Sequence, residues 1–197
     1  EEIKPFGFAT AGVELILIKE KNELQQYWLS GDQENKIIEC FNIPTSIHPH
    51  FQKQWKAWKD QIPRLTLILE GQEKKAFDQL IFTKTDFKNL SDDVKEFILN
   101  HGNVDVFSHA IMKYGLLEAV DRSPLSEEKF VILERFAKVF EQTYTRFLDL
   151  QKAEAQAREA RIEAALERVR SRTMAMRRSE ELADAAFLLS NQVRELG

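Results

Sequence analysis

The chain contains a stretch of 51 residues, from Ser126 to Met176, without a single glycine or proline. Glycine and proline are the residues that interrupt helices most strongly, so this stretch predicts one continuous helix. At about 1.5 Å per residue, such a helix is on the order of 75 Å long, more than a domain of this size can bury. We therefore expect the helix to leave its own domain and to connect that domain to another.

The character of this helix changes along its length. Its first half carries large apolar residues at intervals of four and three, as in a helix that docks against a sheet or a partner helix; these are Leu133, Ala137, Phe140, Tyr144 and Phe147. Its second half repeats this spacing in a background of Ala, Glu, Arg and Gln, at Ile162, Leu166, Val169, Thr173 and Met176. Such a narrow stripe is typical of a coiled coil. We predict a homodimer of parallel long helices, with Phe140, Tyr144, Phe147 and the second stripe in its seam.

Aromatic residues divide the chain into a domain and an extension. Thirteen of the fourteen phenylalanines and all three tryptophans precede Gln151. We therefore expect a domain in residues 1–150, a coiled-coil linker in 151–178 and a further helix in 179–197, since about 150 residues is a common domain size. Seven Arg accompany three Glu between Arg158 and Arg178. Because the Glu residues interleave and no aromatic residue is present to stack on bases, we predict a solvated face without nucleic-acid contact.

Strand and helix patterns alternate before the long helix. Strands are predicted at 7–19, 24–29, 64–70, 104–112 and 116–120, and helices near 50–61, 72–82 and 91–100. The interval 31–49 contains Pro44 and Pro49 and is expected to be irregular, with one helical turn at 36–41. Hairpins at both ends predict an α+β domain with an antiparallel sheet of about five strands. The long coiled-coil helix and a short helix follow.

The end of the domain carries the most specific pattern. Residues 114–120 (YGLLEAV) and 124–128 (PLSEE) precede the apolar helix positions Leu133 and Ala137, and the pattern continues through 140–155 and 162–170 to Met174-Ala175-Met176. This run resembles the last strand, helix start and signalling linker of GAF domains, the sensory relatives of PAS domains. It is most similar to the tandem GAF-like units of Bacteroidetes-type sensor histidine kinases. The resemblance covers the C-terminal third closely and the rest only in pattern.

The resemblance implies a regulatory input module. Such a module dimerises through its long helix and relays ligand or packing changes to an output domain in the same polypeptide. It also implies that residues 1–150 lack the first helix of the family and that 179–197 form the first helix of a following repeat. One face of that helix is apolar and is expected to pack in a neighbouring chain or a helical bundle; it contains Leu182, Ala186, Leu189, Val193 and Leu196.

GAF-like domains bind small molecules between the sheet and its inserted helices, so the resemblance also implies a ligand pocket. Its predicted walls are Phe51, Trp55, Trp58, Phe107 and Tyr114, with His109 facing it. An ordinary core would use the same residues. No motif identifies a ligand or cofactor, because Cys40 lacks the adjacent His of the bilin-binding relatives.

Motifs of catalysis and metal binding are missing from the sequence. With seven glycines and no Gly-x-Ser-x-Gly element, neither a phosphate loop nor a nucleophile elbow is predicted. His48 and His50 form a His-x-His pair without further zinc ligands at suitable spacing. We therefore predict no catalytic residue and no metal in this chain. The single cysteine fits a reducing compartment, so we expect a cytoplasmic protein without membrane contact.

Two other interpretations remain open. One is a ligandless dimerisation spacer, which requires a filled core around Trp55 and Trp58. The other is a small α+β enzyme acting on an apolar substrate, which requires a cavity with converging polar groups such as His109 and Glu118.

Overall fold

The computed structural model describes residues 12–30, 38–100 and 102–196. The chain divides into two compact units, the first ending at Gln142 and the second beginning at Thr143. The first unit contains a β-sheet and helices, whereas the described part of the second unit is helical.

The sheet of the first unit is antiparallel throughout, and its described strands are β1 (Gly12–Lys19), β2 (Leu24–Ser30), β3 (Ile38–Pro44), β4 (Arg64–Glu70), β5 (Val104–Met112) and β6 (Gly115–Asp121). Their order in the sheet is β3-β2-β1-β6-β5-β4. The strands thus form two meanders of consecutive strands, joined by the pairing of β1 with β6.

Five α-helices lie in the described residues: α1 (Pro49–Lys59), α2 (Gly71–Lys84), α3 (Asp92–Leu99), α4 (Glu127–Ala175) and α5 (Leu182–Leu196). Local sequence explains where several of them begin. Pro49 occupies the first turn of α1, where a missing N–H costs no helical bond. The Ser91 hydroxyl caps α3 by accepting a hydrogen bond from the Val94 N–H. Glu127 and Glu128 complement the dipole of α4 in its first turn.

The predicted α+β class with an antiparallel sheet is confirmed, but six strands lie in the described residues where about five were expected. The missed strand is β3, and the helical turn predicted at 36–41 is wrong for residues 38–41, which are extended. β3 lies at the edge of the sheet, and Pro44 is its last residue. Proline has no N–H to donate, and at this position the sheet does not require that hydrogen bond. Phe41 and Ile43 alternate into the core, as in any half-buried strand. Residues 7–11 of the first predicted strand and 31–37 of the irregular interval lie outside the described residues.

Each face of the sheet is covered by different helices. On one face, Ile16, Phe107 and Leu116 pack with Phe51 of α1 and Phe77 of α2. On the other face, Ala110, Met112 and Ala119 pack against Leu133 and Ala137 of α4, as the sequence predicted for the start of this helix.

Gly115 is required by the close approach of β6 to β1. A Cβ atom at this position would lie 1.8 Å from the carbonyl oxygen of Ile16. No side chain fits there without separating the two strands, so glycine fixes the junction between the two meanders.

Candidate functional site

The first unit contains a cavity of about 170 Å³ between the sheet and the helices α1, α2 and α3. Six aromatic rings contribute to its wall: Tyr27, Phe51, Phe77, Phe87, Phe97 and Phe107. Several pack edge to face, as Tyr27 does with Phe51 at 6.1 Å and with Phe87 at 5.5 Å between ring centroids. An apolar cavity of about 150 Å³ accommodates benzene, so this one can hold a ligand with a single ring.

The ionisable residues of the cavity wall are mostly acidic. Glu14, Asp78, Asp105 and Glu118 line it, together with His50. Among the described lining residues there is no lysine or arginine.

Two of these acids share one buried lysine as their partner. The Lys74 ammonium lies 2.6 Å from Asp78 Oδ2 and 3.1 Å from Asp105 Oδ2, and all three side chains are almost fully buried. Buried charges need such partners, because an unpaired charge in the interior is strongly destabilising. Asp78 and Asp105 therefore serve a structural ion pair that joins α2 to β5.

The other two acids, Glu14 and Glu118, form a carboxyl pair. They are direct cross-strand partners in the register of β1 and β6. Burial, the negative charge of Glu118 and a hydrogen bond to Glu118 raise the pKa of Glu14 well above its ordinary value of 4.5. The part of Glu14 that is not covered by protein lines the cavity. The structure thus favours a protonated Glu14 that donates a hydrogen bond to Glu118 at the cavity wall.

Glu118 is held by a hydrogen-bonded network behind the cavity. Its Oε2 atom lies 2.5 Å from His109 Nε2 and accepts a hydrogen bond from Gln54 Nε2 at 2.9 Å. His109 Nδ1 lies 3.0 Å from the Leu65 carbonyl oxygen, which only accepts, so Nδ1 carries a hydrogen. Tyr27 donates its hydroxyl hydrogen to Gln54 Oε1 at 2.9 Å. We call Glu14, Tyr27, Gln54, His109 and Glu118 the polar cluster.

His50 is a buried imidazole beside this cluster. Its ring centroid lies 4.5 Å from that of Phe107 and 5.0 Å from that of Phe77. Burial, followed by the charges of nearby His and Lys side chains, lowers the pKa of His50 well below its ordinary value of 6.5. The ring is therefore neutral at physiological pH, and its Nδ1 atom has no hydrogen-bond partner among the described residues.

The geometry allows a test of the prediction that the chain binds no metal. One ligand atom from each of His50, His109 and Glu118 lies within 4.8 Å of the others, as a metal site would require. However, Gln54 Nε2 lies 2.9 Å from both His109 Nε2 and Glu118 Oε2. An amide NH₂ group, which cannot ligate a cation, therefore stands between two of the three ligands. His109 and Glu118 are thus partners in a hydrogen-bonded network, and the absence of a metal stays a prediction.

The structure brings three of the predicted pocket residues to the site. Phe51 and Phe107 line the cavity. His109 does not line it but supports Glu118, which does. The pairing of His109 with Glu118, considered from the sequence as a mark of converging polar groups, is present.

The other three predicted pocket residues lie outside the cavity lining. Trp55 and Trp58 pack on each other with ring centroids 5.4 Å apart, and Trp58 Nε1 donates to the carbonyl oxygen of Lys113. Tyr114 lies under the ammonium group of Lys113, 5.1 Å from its ring centroid. The buried residues of α1 are His50, Phe51, Gln54 and Ala57, and Trp58 is partly buried against the same core.

Sequence analysis missed Glu14 and Gln54. Glu14 lies on the same face of β1 as Ile16 and Ile18, which face the core. A carboxyl group at a core-facing position of a strand was the signal in the sequence that pointed to this residue. Gln54 lies one helical turn after His50 on the buried face of α1, where a polar side chain requires partners.

In the second unit, α5 folds back along the end of α4 as an antiparallel helical hairpin. Arg172 Nη2 donates to Asp184 Oδ2 at 3.0 Å, and Arg168 Nη1 donates to Gln192 Oε1 at 2.8 Å. Later residues of α5 thus meet earlier residues of α4. Ala165 of α4 is buried in this hairpin.

The predicted seam residues are distributed over both units. Phe140 is partly buried against the sheet in the first unit. In the second unit the rings of Tyr144 and Phe147 stack at 6.0 Å, and Leu166 is 51% exposed. The remaining seam residues are partly buried, at Ile162, Val169 and Met176, or exposed, at Thr173.

Four residues of the predicted apolar face of the last helix are exposed, and the side chain of the fifth, Leu196, lies outside the described part of the structure. α5 packs on α4 through Ala185 and Gln192, whereas Leu189 is 49% and Val193 is 61% exposed. Leu182 and Ala186 are exposed on the same face.

A scan against protein-family models and searches of curated proteins and of solved structures found no match to this chain. Of the helices in the described ranges, none combines the length and the apolar character needed to cross a membrane. The functional argument therefore depends on the cavity, the polar cluster and the helical hairpin.

Proposed function

We propose that this chain is a GAF-like regulatory input module of a larger bacterial signal-transduction protein, such as a two-component sensor histidine kinase. In this proposal the module binds a small molecule in the cavity and dimerises through its C-terminal helices. It then relays a change in packing to an output domain in the same polypeptide. The supporting observation is an aromatic cavity whose wall carries an acidic pair.

The cavity is the observation that supports a sensor. A ligandless spacer is expected to have a filled core around Trp55 and Trp58, which pack on each other outside the cavity lining; the open volume of about 170 Å³ lies beside the polar cluster and leaves room for a ligand there. An enzyme that uses a Ser, Thr, Cys or Lys nucleophile finds none among the described lining residues, whereas the carboxyl groups of Glu14 and Glu118, a residue type that also serves as a nucleophile, keep a small enzyme as the alternative. Apolar walls with a few converging polar groups are the usual form of a small-molecule site.

The start of α4 supports a coupling role for this helix. Leu133 and Ala137 are buried against the sheet, on the face opposite the cavity. α4 then runs without interruption to Ala175. Repacking of the sheet around a ligand would change the contacts of this first segment, and a continuous helix can carry such a shift along its axis.

The uncovered apolar stripes support dimerisation. Leu166 on α4 and Leu189 and Val193 on α5 each expose about half or more of their surface. Burying a Leu or Val side chain contributes about 1.5–3 kcal/mol, so pairing these stripes with those of a second copy would be strongly favourable. We propose that the two hairpins of a homodimer form a helical bundle. In this proposal the protein is cytoplasmic and does not bind nucleic acid; Arg170 and Arg172 have acidic partners at 2.7 and 3.0 Å.

Native mass spectrometry of the purified chain, compared with its denatured mass, tests both parts of the proposal. A dimer that carries additional small-molecule mass would support ligand binding and the helical interface together. A monomer at every concentration examined would refute the dimeric signalling mechanism.

A pair of variants locates the interface. Leu189→Glu places a charge on the apolar face of α5, whereas Ser190→Glu places the same charge at an adjacent exposed position. We expect light scattering after size exclusion to show dissociation of the first variant and a dimer for the second. Equal dimer fractions in both variants would remove α5 from the interface.

A further inference from the structure

We propose that the ligand of the cavity is a small organic cation, an ammonium group carried on a single aromatic ring or a comparable apolar body. This inference rests on the proposed function, because it assigns a chemical class to the molecule that the sensor binds.

The first argument is charge. The single positive charge of Lys74 is shared by Asp78 and Asp105. Glu14 and Glu118 remain at the cavity wall, and no lysine or arginine among the described lining residues faces them. An anionic ligand would meet two acids, whereas a cation would supply the charge that the wall lacks.

The second argument is the aromatic wall. Phe51, Phe77 and Phe107 surround the cavity together with Tyr27 and Phe87. Aromatic rings attract a cation through their negative faces, and the attraction is strongest where water is excluded. The same rings provide apolar contact for the body of the ligand, and the volume limits that body to about the size of one ring.

The third argument is the proton on Glu14. In the free protein this proton relieves the repulsion between the two carboxyl groups, and the raised pKa of Glu14 reflects it. An ammonium group has three N–H donors and a full positive charge, so it can replace that proton and bridge both carboxylates. Binding of the cation should therefore release a proton from the protein.

Other ionisable groups contribute to the field at Glu14. Those on the packed elements are Tyr27 of β2, His50 of α1, Lys74 and Asp78 of α2, Asp105 and His109 of β5, and Glu118 of β6. His50 is neutral and Lys74 is paired, so neither competes with the cation, whereas His109 and Gln54 already contact Glu118 Oε2. A bound ammonium group would therefore meet Glu14 and the other carboxyl oxygen of Glu118.

The test uses three probes of nearly equal shape: 2-phenylethylamine, 2-phenylethanol and phenylacetate. By isothermal titration calorimetry of the full chain at neutral pH, we expect the amine to bind at least tenfold more tightly than the alcohol and phenylacetate not to bind. The binding enthalpy of the amine should depend on the ionisation enthalpy of the buffer, since a proton is released. Its affinity should increase with pH below the folded pKa of Glu14.

Variants connect the binding to the carboxyl pair. Glu14→Gln keeps the shape of the protonated side chain and should weaken amine binding at least tenfold while the alcohol still binds. Glu96→Gln removes an exposed acid from α3 and should change neither affinity. Far-UV circular dichroism and tryptophan fluorescence confirm that each variant is folded.

The outcomes separate this inference from the proposed function. If the alcohol binds as tightly as the amine, the cavity accepts ligands but the cation assignment is wrong. If none of the three probes binds, both the cation assignment and a small-molecule sensor of this size are contradicted. Binding of Zn²⁺ without binding of the amine, and its loss in His109→Ala, would replace the organic cation by a metal.

Discussion

Replacing Glu14 by glutamine should make the first unit less sensitive to rising pH. In the wild-type protein, burial and the neighbouring Glu118 raise the pKa of Glu14 above its ordinary value of 4.5. At pH values between the unfolded and folded pKa, the folded protein holds a proton that the unfolded chain releases. Folding is favoured by this proton below pH 4.5, and that contribution is lost as the pH rises through the folded pKa.

One proton sets the magnitude of the effect. A difference of one bound proton between the folded and unfolded states lowers the free energy of unfolding by about 1.4 kcal/mol per pH unit. Glutamine is neutral at every pH and can still donate a hydrogen bond to Glu118. The stability of Glu14→Gln relative to wild type should therefore increase with this slope inside the window.

His50 has the opposite effect on the pH dependence of stability. The wild-type protein must therefore be compared with the Glu14→Gln variant. Burial lowers its folded pKa below the ordinary 6.5, so its contribution to stability is present above about that pH and is lost as the pH falls through the folded pKa. The wild-type curve combines both effects, whereas the difference between wild type and Glu14→Gln isolates the carboxyl group.

Urea unfolding followed by tryptophan fluorescence is a suitable assay. Trp28, Trp55 and Trp58 all lie in the first unit, so the signal reports on this unit alone. Glu96→Gln should run parallel to wild type, because this carboxyl is exposed. If the curves of Glu14→Gln and wild type are also parallel from pH 4.5 to 8, Glu14 is not protonated in the folded state and the reasoning fails.

Two further substitutions test the packing around the site. Lys74→Met removes the cation shared by two buried carboxylates and should lower the free energy of unfolding in urea by about 3–5 kcal/mol, whereas Lys75→Met at an exposed position should change it little. Equal effects of the two substitutions would contradict the buried ion pair. Gly115→Ala places a methyl group against the Ile16 carbonyl and should lower the free energy of unfolding by at least ~1–3 kcal/mol or abolish soluble expression. The control Gly12→Ala meets only ordinary contacts. A stable Gly115→Ala protein would show that β1 and β6 are not packed so closely.

Much of the fold could be predicted from periodicity. β4 and β5 have the predicted bounds, and α4 agrees to within one residue at each end. These elements have uninterrupted patterns and clear boundary residues. β3 could not be found in the same way. Its residues become a strand by pairing with β2, and Pro44 indicates a break in the strand pattern unless the strand is known to lie at the edge of the sheet.

The wall of the cavity was predicted only in part because the tryptophans of α1 lie outside the cavity lining. The tryptophans of α1 share a spacing of three and four with Phe51 and suggested an apolar stripe through Trp55 and Trp58. The buried face lies through Phe51, Gln54 and Ala57, so a polar residue occupies its centre. A search for periodic apolar residues passes over glutamine. Gln54 is nevertheless fully buried and hydrogen-bonded, so this search could not identify it as a core residue.

The acidic pair could not be predicted without the register of the sheet. Glu14 and Glu118 are far apart in sequence, and only the alignment of β1 with β6 places them opposite each other. A shift of one residue in this alignment would turn one of the two carboxyl groups to the other face. Their shared proton is thus a property of tertiary structure.

The junction between the two meanders gives the carboxyl pair a wider importance. Every other strand pairing in the sheet is between consecutive strands, whereas β1 and β6 come from opposite ends of the domain. A molecule held by Glu14 and Glu118 would therefore act as a noncovalent staple between the first and the last strand. Such a ligand binds only the folded chain, so it stabilises the folded state. Its concentration in the cell would therefore set the stability of the contact between the two meanders.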